Sequence, residues 1–228
     1  FGQIKGEVAT KESLKAEAQK LLDRAQKTVS ASAWIALGRK TGFQLRPSLN
    51  ELEKLIAFTG GRSVIEENDV EAVVGKTRED SVFDLTTALS EKNAPAALSA
   101  LGALLDQGLH HLMILTMISR EIRLLLQASL LVRSAKLPRL SPNMDYGSFQ
   151  KNIYPAVTGL VPNASRKDDL LVNKHPYVVY NALRNCGRFS YQRLLNYLDD
   201  LLEMDRAMKS SATDPQILIE RFLIKACA

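Results

Sequence analysis

This chain contains little cysteine and little tryptophan, and neither sign of charge strongly dominates. Its 228 residues include two cysteines, Cys186 and Cys227, and one tryptophan. The two cysteines form neither a Cys-x-x-Cys motif nor a metal-type spacing, so we expect reduced thiols and a cytoplasmic protein. A formal charge of +5 is a mild basic bias, which is compatible with nucleic acid or an acidic protein as a partner but diagnostic of neither.

No uncharged apolar run is long enough to span a membrane. The long apolar stretch 109–132 carries Arg120, Glu121 and Arg123 at its centre, where a charge inside a membrane is most costly. We therefore interpret this stretch as a buried helix of a globular domain. The first residues have no initiator Met, no basic region and no apolar region of a signal peptide, which predicts a piece of a longer protein.

A complete phosphate-binding loop is absent, although residues 75–77 read Gly-Lys-Thr, like the end of that motif. Val70 occupies the position of the motif's first glycine, and the residues before Gly75 have helical rather than strand character. We therefore interpret Gly75 as a helix C-cap and Lys76 as a solvated charge.

Arrangements that support catalysis or metal binding are missing as well. His110 and His111 have no Cys or His partner at metal-ligand spacing. The acidic pairs 168–169 and 199–200 are chain neighbours, whose side chains diverge on a helix and so do not make an acid and base pair. No serine lies in a Gly-x-Ser-x-Gly turn. The sequence therefore predicts no catalytic residue, no metal site and no cofactor.

Helical periodicity dominates what is present. Apolar residues recur every three or four positions between helix caps, prolines of a first turn and glycines that end a helix. Helices are predicted over 11–25, 30–39, 47–59 and 66–74, from Ser81, from Asn93 to Gly108, from 109 past 132, over 176–186, from Ser190, and from Asp214. The sequence therefore predicts an all-α protein of two helical domains joined near residues 77–80.

Residues 136–173 differ in character from the rest. They contain Pro138, Pro142, Pro155 and Pro162 among scattered Asn, Ser and Gly. Short helices are predicted here over about 148–159 and 166–172.

Short motifs follow one another along the chain in a recognisable order. They are Asn50-Glu51-Leu52-Glu53-Lys54-Leu55, Phe83-Asp84-Leu85, Ala97-Leu98 with Leu104-Leu105-Asp106-Gln107-Gly108, Ile122-Arg123-Leu124-Leu125, His175-Pro176-Tyr177-Val178-Val179, Asp205 with Lys209, and Ile219-Glu220-Arg221-Phe222-Leu223. Their order resembles the C-terminal part of the delta subunit of bacterial DNA polymerase III, a clamp-loader protein. Residues 136–173 are the longest departure from that family.

The resemblance implies a domain division and a role. Residues 1–78 would be a helical lid domain of the AAA+ type, and residues 81–228 would be a clamp-loader collar domain. In this family the collars of delta, the ATPase subunits (gamma or tau) and delta prime form a ring, and delta itself hydrolyses nothing. Delta grips the sliding clamp chiefly through an N-terminal domain that these residues do not contain. The resemblance therefore implies a non-catalytic DNA-replication subunit built for assembly.

One segment mixes basic and aromatic residues. A nucleic-acid interface uses cations to contact phosphates and an aromatic ring to stack on an exposed base. Clamp loaders of the resembled family enclose primer-template DNA. The sequence leaves two interpretations open for Lys174, His175, Tyr177, Arg184 and Arg188. In the first they contact DNA, and in the second Tyr177 packs inward while the arginines face water.

Asp205 and Lys209 lie one helical turn apart, and we interpret them as a structural ion pair. Asp205 falls on the apolar stripe of its predicted helix, so we expect its carboxylate to need such a partner.

A second interpretation is a stand-alone helical DNA-binding protein that reads DNA with the helices predicted at 175–186 and 190–209. It predicts one concentrated basic face and a recognition helix. A collar domain instead predicts broad mixed flanks, suited to burying more than about 1,000 Å² with each neighbour.

Overall fold

The computed structural model describes residues 11–42, 44–75, 78–134, 137, 140–141, 144–160, 170–210 and 213–228. Within these residues the chain is almost entirely helical, which confirms the predicted all-α fold. The elements, in chain order, are α1 Lys11–Arg24, β1 Thr28–Val29, α2 Ala31–Thr41, α3 Leu45–Thr59, β2 Val64–Ile65, α4 Glu67–Val73, α5 Arg78–Ser90, α6 Ala94–Asp106, α7 His111–Arg133, α8 Tyr146–Asn152, α9 Tyr154–Gly159, α10 Pro176–Asn185, α11 Tyr191–Ser210 and α12 Pro215–Cys227. Short 3₁₀ turns cover Leu171–Asn173 and Cys186–Arg188.

The chain divides into two compact units, Phe1–Phe83 and Asp84–Ala228. The boundary between them falls inside α5. The domain division predicted near residues 77–80 stays a prediction, and residues 78–80 form the first turn of α5.

The first unit is built around a small apolar core. Helices α1, α2, α3 and α4 contribute most of its buried side chains, strand β2 contributes Ile65, and Trp34 packs against it from α2. The fully buried members include Ala18, Ala33, Leu37, Leu52, Leu55, Ile65 and Val70.

A two-residue parallel strand pair holds the turns of this unit together, with Thr28 opposite Val64 and Val29 opposite Ile65. Beside it, the ammonium of Lys27 donates hydrogen bonds to the carbonyls of Gly60 at 2.7 Å and Arg62 at 2.6 Å. Lys27 is only 7% exposed, so these bonds replace the water that its charge would otherwise bind.

Several helix ends follow the predicted local signals. The hydroxyl of Ser30 accepts a hydrogen bond from the Ala33 amide at 3.2 Å, and the Asn93 side chain accepts from the Ala96 amide at 3.1 Å. Gly42 ends α2 with φ of 62°, a left-handed conformation that favours glycine. Asp214 caps α12 by accepting from the Gln216 amide at 2.8 Å.

Other predicted ends are wrong. Helix α5 begins at Arg78 rather than Ser81, and α3 begins at Leu45 rather than at Pro47. Gly75 is not the cap of α4, because Val74 occupies that position. Lys76 lies outside the described residues.

The second unit is organised around α7. Helices α10, α11 and α12 pack against it, and α12 also packs against α6. Buried side chains line one side of α7 along most of its length, namely Ile114, Leu115, Ile118, Ile122, Leu124, Leu125, Ala128 and Ser129. This arrangement explains why apolar residues recur along the whole length of α7.

The segment after α7 forms short helices, as predicted around 148–159. A break at Ile153 divides the predicted helix into α8 and α9. The helix predicted at 166–172 falls mostly on residues 161–169, which lie outside the described residues; Leu171–Asn173 form a 3₁₀ turn instead.

Candidate functional site

The residues predicted to contact DNA surround α10. His175 precedes the helix, and its Nδ1 accepts a hydrogen bond from the Tyr177 amide at 3.3 Å. Pro176 occupies the first turn, where the absence of an amide hydrogen has no cost. His175 is therefore engaged as the helix N-cap, and Lys174 lies beside it.

Tyr177 belongs to a group of rings that we call the aromatic cluster. Its ring centroid lies 5.3 Å from that of Tyr146, in an edge-to-face arrangement that favours aromatic packing. The cluster comprises Tyr146, Phe149, Tyr154, Tyr177 and Tyr180.

Burial in this cluster raises the pKa of the phenols of Tyr146 and Tyr154 above the ordinary tyrosine value. The Tyr180 hydroxyl donates a hydrogen bond to the Met144 carbonyl at 2.7 Å. The Tyr177 ring, which is partly buried, therefore serves packing between α8 and α10.

Arg184 and Arg188 are exposed at the opposite end of α10. The Arg184 guanidinium lies 6.0 Å from the centroid of the Tyr180 ring. Arg188 donates from Nε to the Asn185 side-chain oxygen at 3.2 Å, and the buried Asn185 amide donates to the Ser90 hydroxyl at 3.2 Å. The Arg188 guanidinium is therefore held at its Nε by Asn185, which is itself buried.

The structure separates the predicted DNA contacts into two groups. A helix of the length of α10 spans about 15 Å, so Lys174 and His175 lie far from Arg184 and Arg188. DNA contact by these five residues stays a prediction.

Asp205 and Lys209 are in contact on α11. The Lys209 ammonium donates to Asp205 Oδ2 at 2.7 Å, and both side chains are at least one third exposed. An exposed pair one turn apart on a helix contributes about 0.3 to 0.5 kcal/mol.

The histidines and carboxylates considered for chemistry have structural positions. His110 is the N-cap of α7, with its Nδ1 accepting from the Leu112 amide at 3.2 Å. Asp200 accepts from the Lys225 ammonium at 2.7 Å, whereas Asp199 is exposed. Asp168 and Asp169 lie outside the described residues. Among the described residues no group of His, Cys, Asp and Glu is placed to hold a metal ion.

Sequence reasoning missed a buried charge group in the first unit. The Lys40 side chain is only 6% exposed, and its ammonium lies 3.0 Å from Glu71 and 3.6 Å from Asp80. Arg39 approaches the other oxygen of Asp80 at 3.7 Å. A buried lysine needs such carboxylates because desolvation disfavours an isolated charge. The pattern of α2 alone carries no signal of partners about 40 residues away.

Glu121 is a second feature whose environment was not predicted. It lies one turn from Ile118, Leu124 and Leu125 on the packed side of α7, and its side chain is partly exposed. Burial raises the pKa of the Glu121 carboxyl to about 7, against the smaller lowering effect of Arg120. The sequence signal was present, since apolar residues stand on both sides of Glu121 at helical spacing.

No helix within the described residues combines the length and the apolar character that crossing a membrane requires. This agrees with the interpretation of α7 as a helix packed against other helices.

Comparison with known proteins gives a consistent result. A family model described as "DNA polymerase III delta subunit, C-terminal domain" matches residues 79–137 and 170–226, which is about half of the chain. It leaves out residues 138–169, which lie within the proline-containing stretch 136–173 that differs in character from the rest of the sequence.

A similar protein of Bacillus subtilis (strain 168), DNA polymerase III subunit delta, is 28% identical over 200 residues. That match covers 88% of this chain and 50% of the relative, so the chain spans half of that relative's length.

The fold is similar to that of the solved Bacillus subtilis DNA clamp loader delta protein. The TM-score is 0.65 at 23% sequence identity, over 95% of this chain and 56% of the solved one. Family model, relative and fold agree, and this chain belongs to the family of DNA polymerase III delta subunits, whose C-terminal domain it contains.

Proposed function

We propose that this chain is the assembly part of a clamp-loader delta subunit, which helps sister subunits to open the sliding clamp and load it onto primed DNA. The observation that carries the proposal is the family match over 79–137 and 170–226, which includes the helices that form the core of the second unit. A replication subunit of this kind works in the cytoplasm.

The two parts of the chain have different roles in this proposal. Residues 1–78 act as an AAA+ lid-like domain, and residues 81–228 act as the collar. The separate helical cores of the two compact units support such a division. The collar binds the ATPase (gamma or tau) subunits and delta prime through its outer helix faces.

The chain contributes binding rather than chemistry to the complex. ATP hydrolysis belongs to the sister subunits, and the sliding clamp is gripped by a region outside these residues. Primer-template DNA passes close to the collar once the complex has assembled.

Mixing experiments test the proposal. The chain is combined with purified ATPase and delta-prime subunits of the same organism, and separately with the sliding clamp, and each mixture is analysed by size-exclusion chromatography with light scattering. We expect co-elution with the sister subunits and weak clamp binding. Failure to co-elute would refute the collar role. Strong clamp binding would refute the proposal that a region outside these residues grips the clamp.

A further inference from the structure

The last turn of α2 holds the beginning of α5 through charged side chains. Asp80, in the first turn of α5, is buried, with one carboxylate oxygen 3.7 Å from the Arg39 guanidinium and the other 3.6 Å from the Lys40 ammonium. The Arg39 guanidinium also lies 5.2 Å from the centroid of the Phe83 ring, about one turn further along α5. Two cations of α2 therefore contact two successive turns of α5. We call these four residues the α5 latch.

A second carboxylate beside Lys40 allows this latch to open without leaving a buried charge alone. Glu71 of α4 lies 3.0 Å from the Lys40 ammonium, closer than Asp80 does. Removing the partner of a buried charge is strongly destabilising when nothing else compensates it. Since Glu71 stays beside Lys40 when Asp80 moves away, the lysine keeps a carboxylate partner. The first unit can therefore release Asp80 while its own core remains packed.

Helix α5 has a second possible start within its own sequence. Ser81, followed three residues later by Asp84, is a capping-box pattern, in which a hydroxyl and an acidic side chain each accept from a free backbone amide. The same chain closes such a box at α4, where Asp69 accepts from the Glu66 amide at 2.9 Å. In the structure, however, α5 begins at Arg78, and Ser81 is fully buried within the helix. Local sequence and tertiary contacts therefore favour starts almost one turn apart.

We propose that the first turn of α5 is a conformational switch with two states. In the wound state the α5 latch is closed and the helix begins at Arg78, as in the structure. In the unwound state Asp80 leaves its two cations, residues 78–80 become extended, and Ser81 caps a shortened helix. Three residues span about 4.5 Å in a helix and about 10 Å when extended, so unwinding lengthens the chain ahead of Ser81 by about 5 Å.

This switch controls how firmly the first unit holds α5. The boundary between the two compact units falls between Phe83 and Asp84, inside this helix. Unwinding of the first turn leaves residues 84–90 helical and turns their attachment to the first unit from a helix into a short extended segment. All four residues of the α5 latch belong to the first unit, so the inference does not depend on the proposed function.

Residue-resolved hydrogen exchange of the whole chain, measured by NMR, tests the switch. In the wound state the amides of Val82 and Phe83 bond to carbonyls of the first turn. Asp80→Asn removes the charge that the α5 latch holds, so we expect both amides to exchange about tenfold faster or more. The amides of residues 85–90 should keep their wild-type protection, because Ser81 caps the helix that remains.

Ser81→Ala tests the second start. In the wild-type background the wound state predominates, so this change should alter exchange along α5 by less than about twofold. In the Asp80→Asn background the same change removes the cap, and the amides of residues 85–87 should then exchange about fivefold faster. Arg39→Gln, at a side chain that is 35% exposed, is a milder second variant of the latch. Asp23→Asn, at an exposed carboxylate of α1, is the matched control and should exchange like wild type.

Three results would overturn the proposal. Unchanged exchange of Val82 and Phe83 in both Asp80→Asn and Arg39→Gln would show that the latch does not hold the first turn. Equally accelerated exchange throughout α3 would show that Asp80 holds the core of the first unit together rather than this turn. An equal effect of Ser81→Ala in both backgrounds would exclude the second start.

Discussion

Glu121 provides a test of how much α7 depends on its packed environment. Glu121 stands one helical turn from Ile118, Leu124 and Leu125, and burial raises the pKa of its carboxyl from 4.5 to about 7. An acid whose pKa is higher in the folded state binds its proton more tightly there than in the unfolded chain. The folded state is therefore penalised as the pH rises from about 4.5 to about 7, and the penalty stays constant above that range.

The size of this penalty follows from the pKa difference. A shift of this size corresponds to an upper limit of about 3 kcal/mol, at about 1.4 kcal/mol for each pH unit. The partial exposure of the Glu121 side chain lets water reduce it, so we expect about 1 to 2 kcal/mol. Glu121→Gln removes the ionisation and keeps the shape. The variant should therefore exceed wild type in stability by this amount at pH 8 and nearly match it at pH 4, below both pKa values.

Urea denaturation followed by circular dichroism at both pH values measures the effect, and hydrogen exchange of peptides from α7 localises it. Glu91→Gln is the matched control, because Glu91 is exposed in the turn after α5. It should change stability little at either pH. Equal stability of wild type and Glu121→Gln at pH 8, or a loss at both pH values, would refute the assignment of Glu121 to a water-poor environment.

Two other predictions concern separate parts of the chain. Lys27→Met removes the donor to the Gly60 and Arg62 carbonyls and should destabilise the first unit by about 1 to 2 kcal/mol. Urea unfolding followed by the fluorescence of Trp34, the single tryptophan, measures this loss, and Lys20→Met, at an exposed position, is the control. An unchanged unfolding midpoint would contradict the role of Lys27. Arg184→Ala and Arg188→Ala should each weaken binding to primer-template DNA and reduce the number of counterions released on binding by about one, whereas Tyr177→Phe should change neither. Fluorescence anisotropy titrations at two salt concentrations measure both quantities. Unchanged DNA binding after the loss of both arginines would exclude this end of α10 as a phosphate contact.

Helices and many of their ends could be predicted because their signals are local. Asn93 and Asp214 cap helices through amides two or three residues away, and Gly42 adopts the left-handed conformation that its neighbours in the chain require. The beginning of α5 could not be predicted in this way. Ser81 looks like a cap, but it is fully buried within the helix. The preceding turn carries Asp80, whose contacts with Arg39 and Lys40 depend on the tertiary fold.

The candidate site was less predictable than the fold. Lys174 and Arg188 are close in sequence, yet α10 holds them at opposite ends of about 15 Å. The residue type of Tyr177 suits stacking on a base, and its ring contacts Tyr146, a partner about 30 residues earlier. Composition indicates which residue types suit an interface. The burial of each ring depends on contacts with distant parts of the chain, which a local sequence pattern does not reveal.

The aromatic cluster has a consequence for anyone who wishes to shorten this protein. It joins Tyr146, Phe149 and Tyr154, from the stretch that the family model leaves out, to Tyr177 and Tyr180, which the family model includes. Deleting residues 138–169 would therefore expose two tyrosine rings of α10 to solvent and create an aggregation-prone apolar patch. A trimmed variant should replace both rings with hydrophilic side chains in the same step if it is to avoid precipitation.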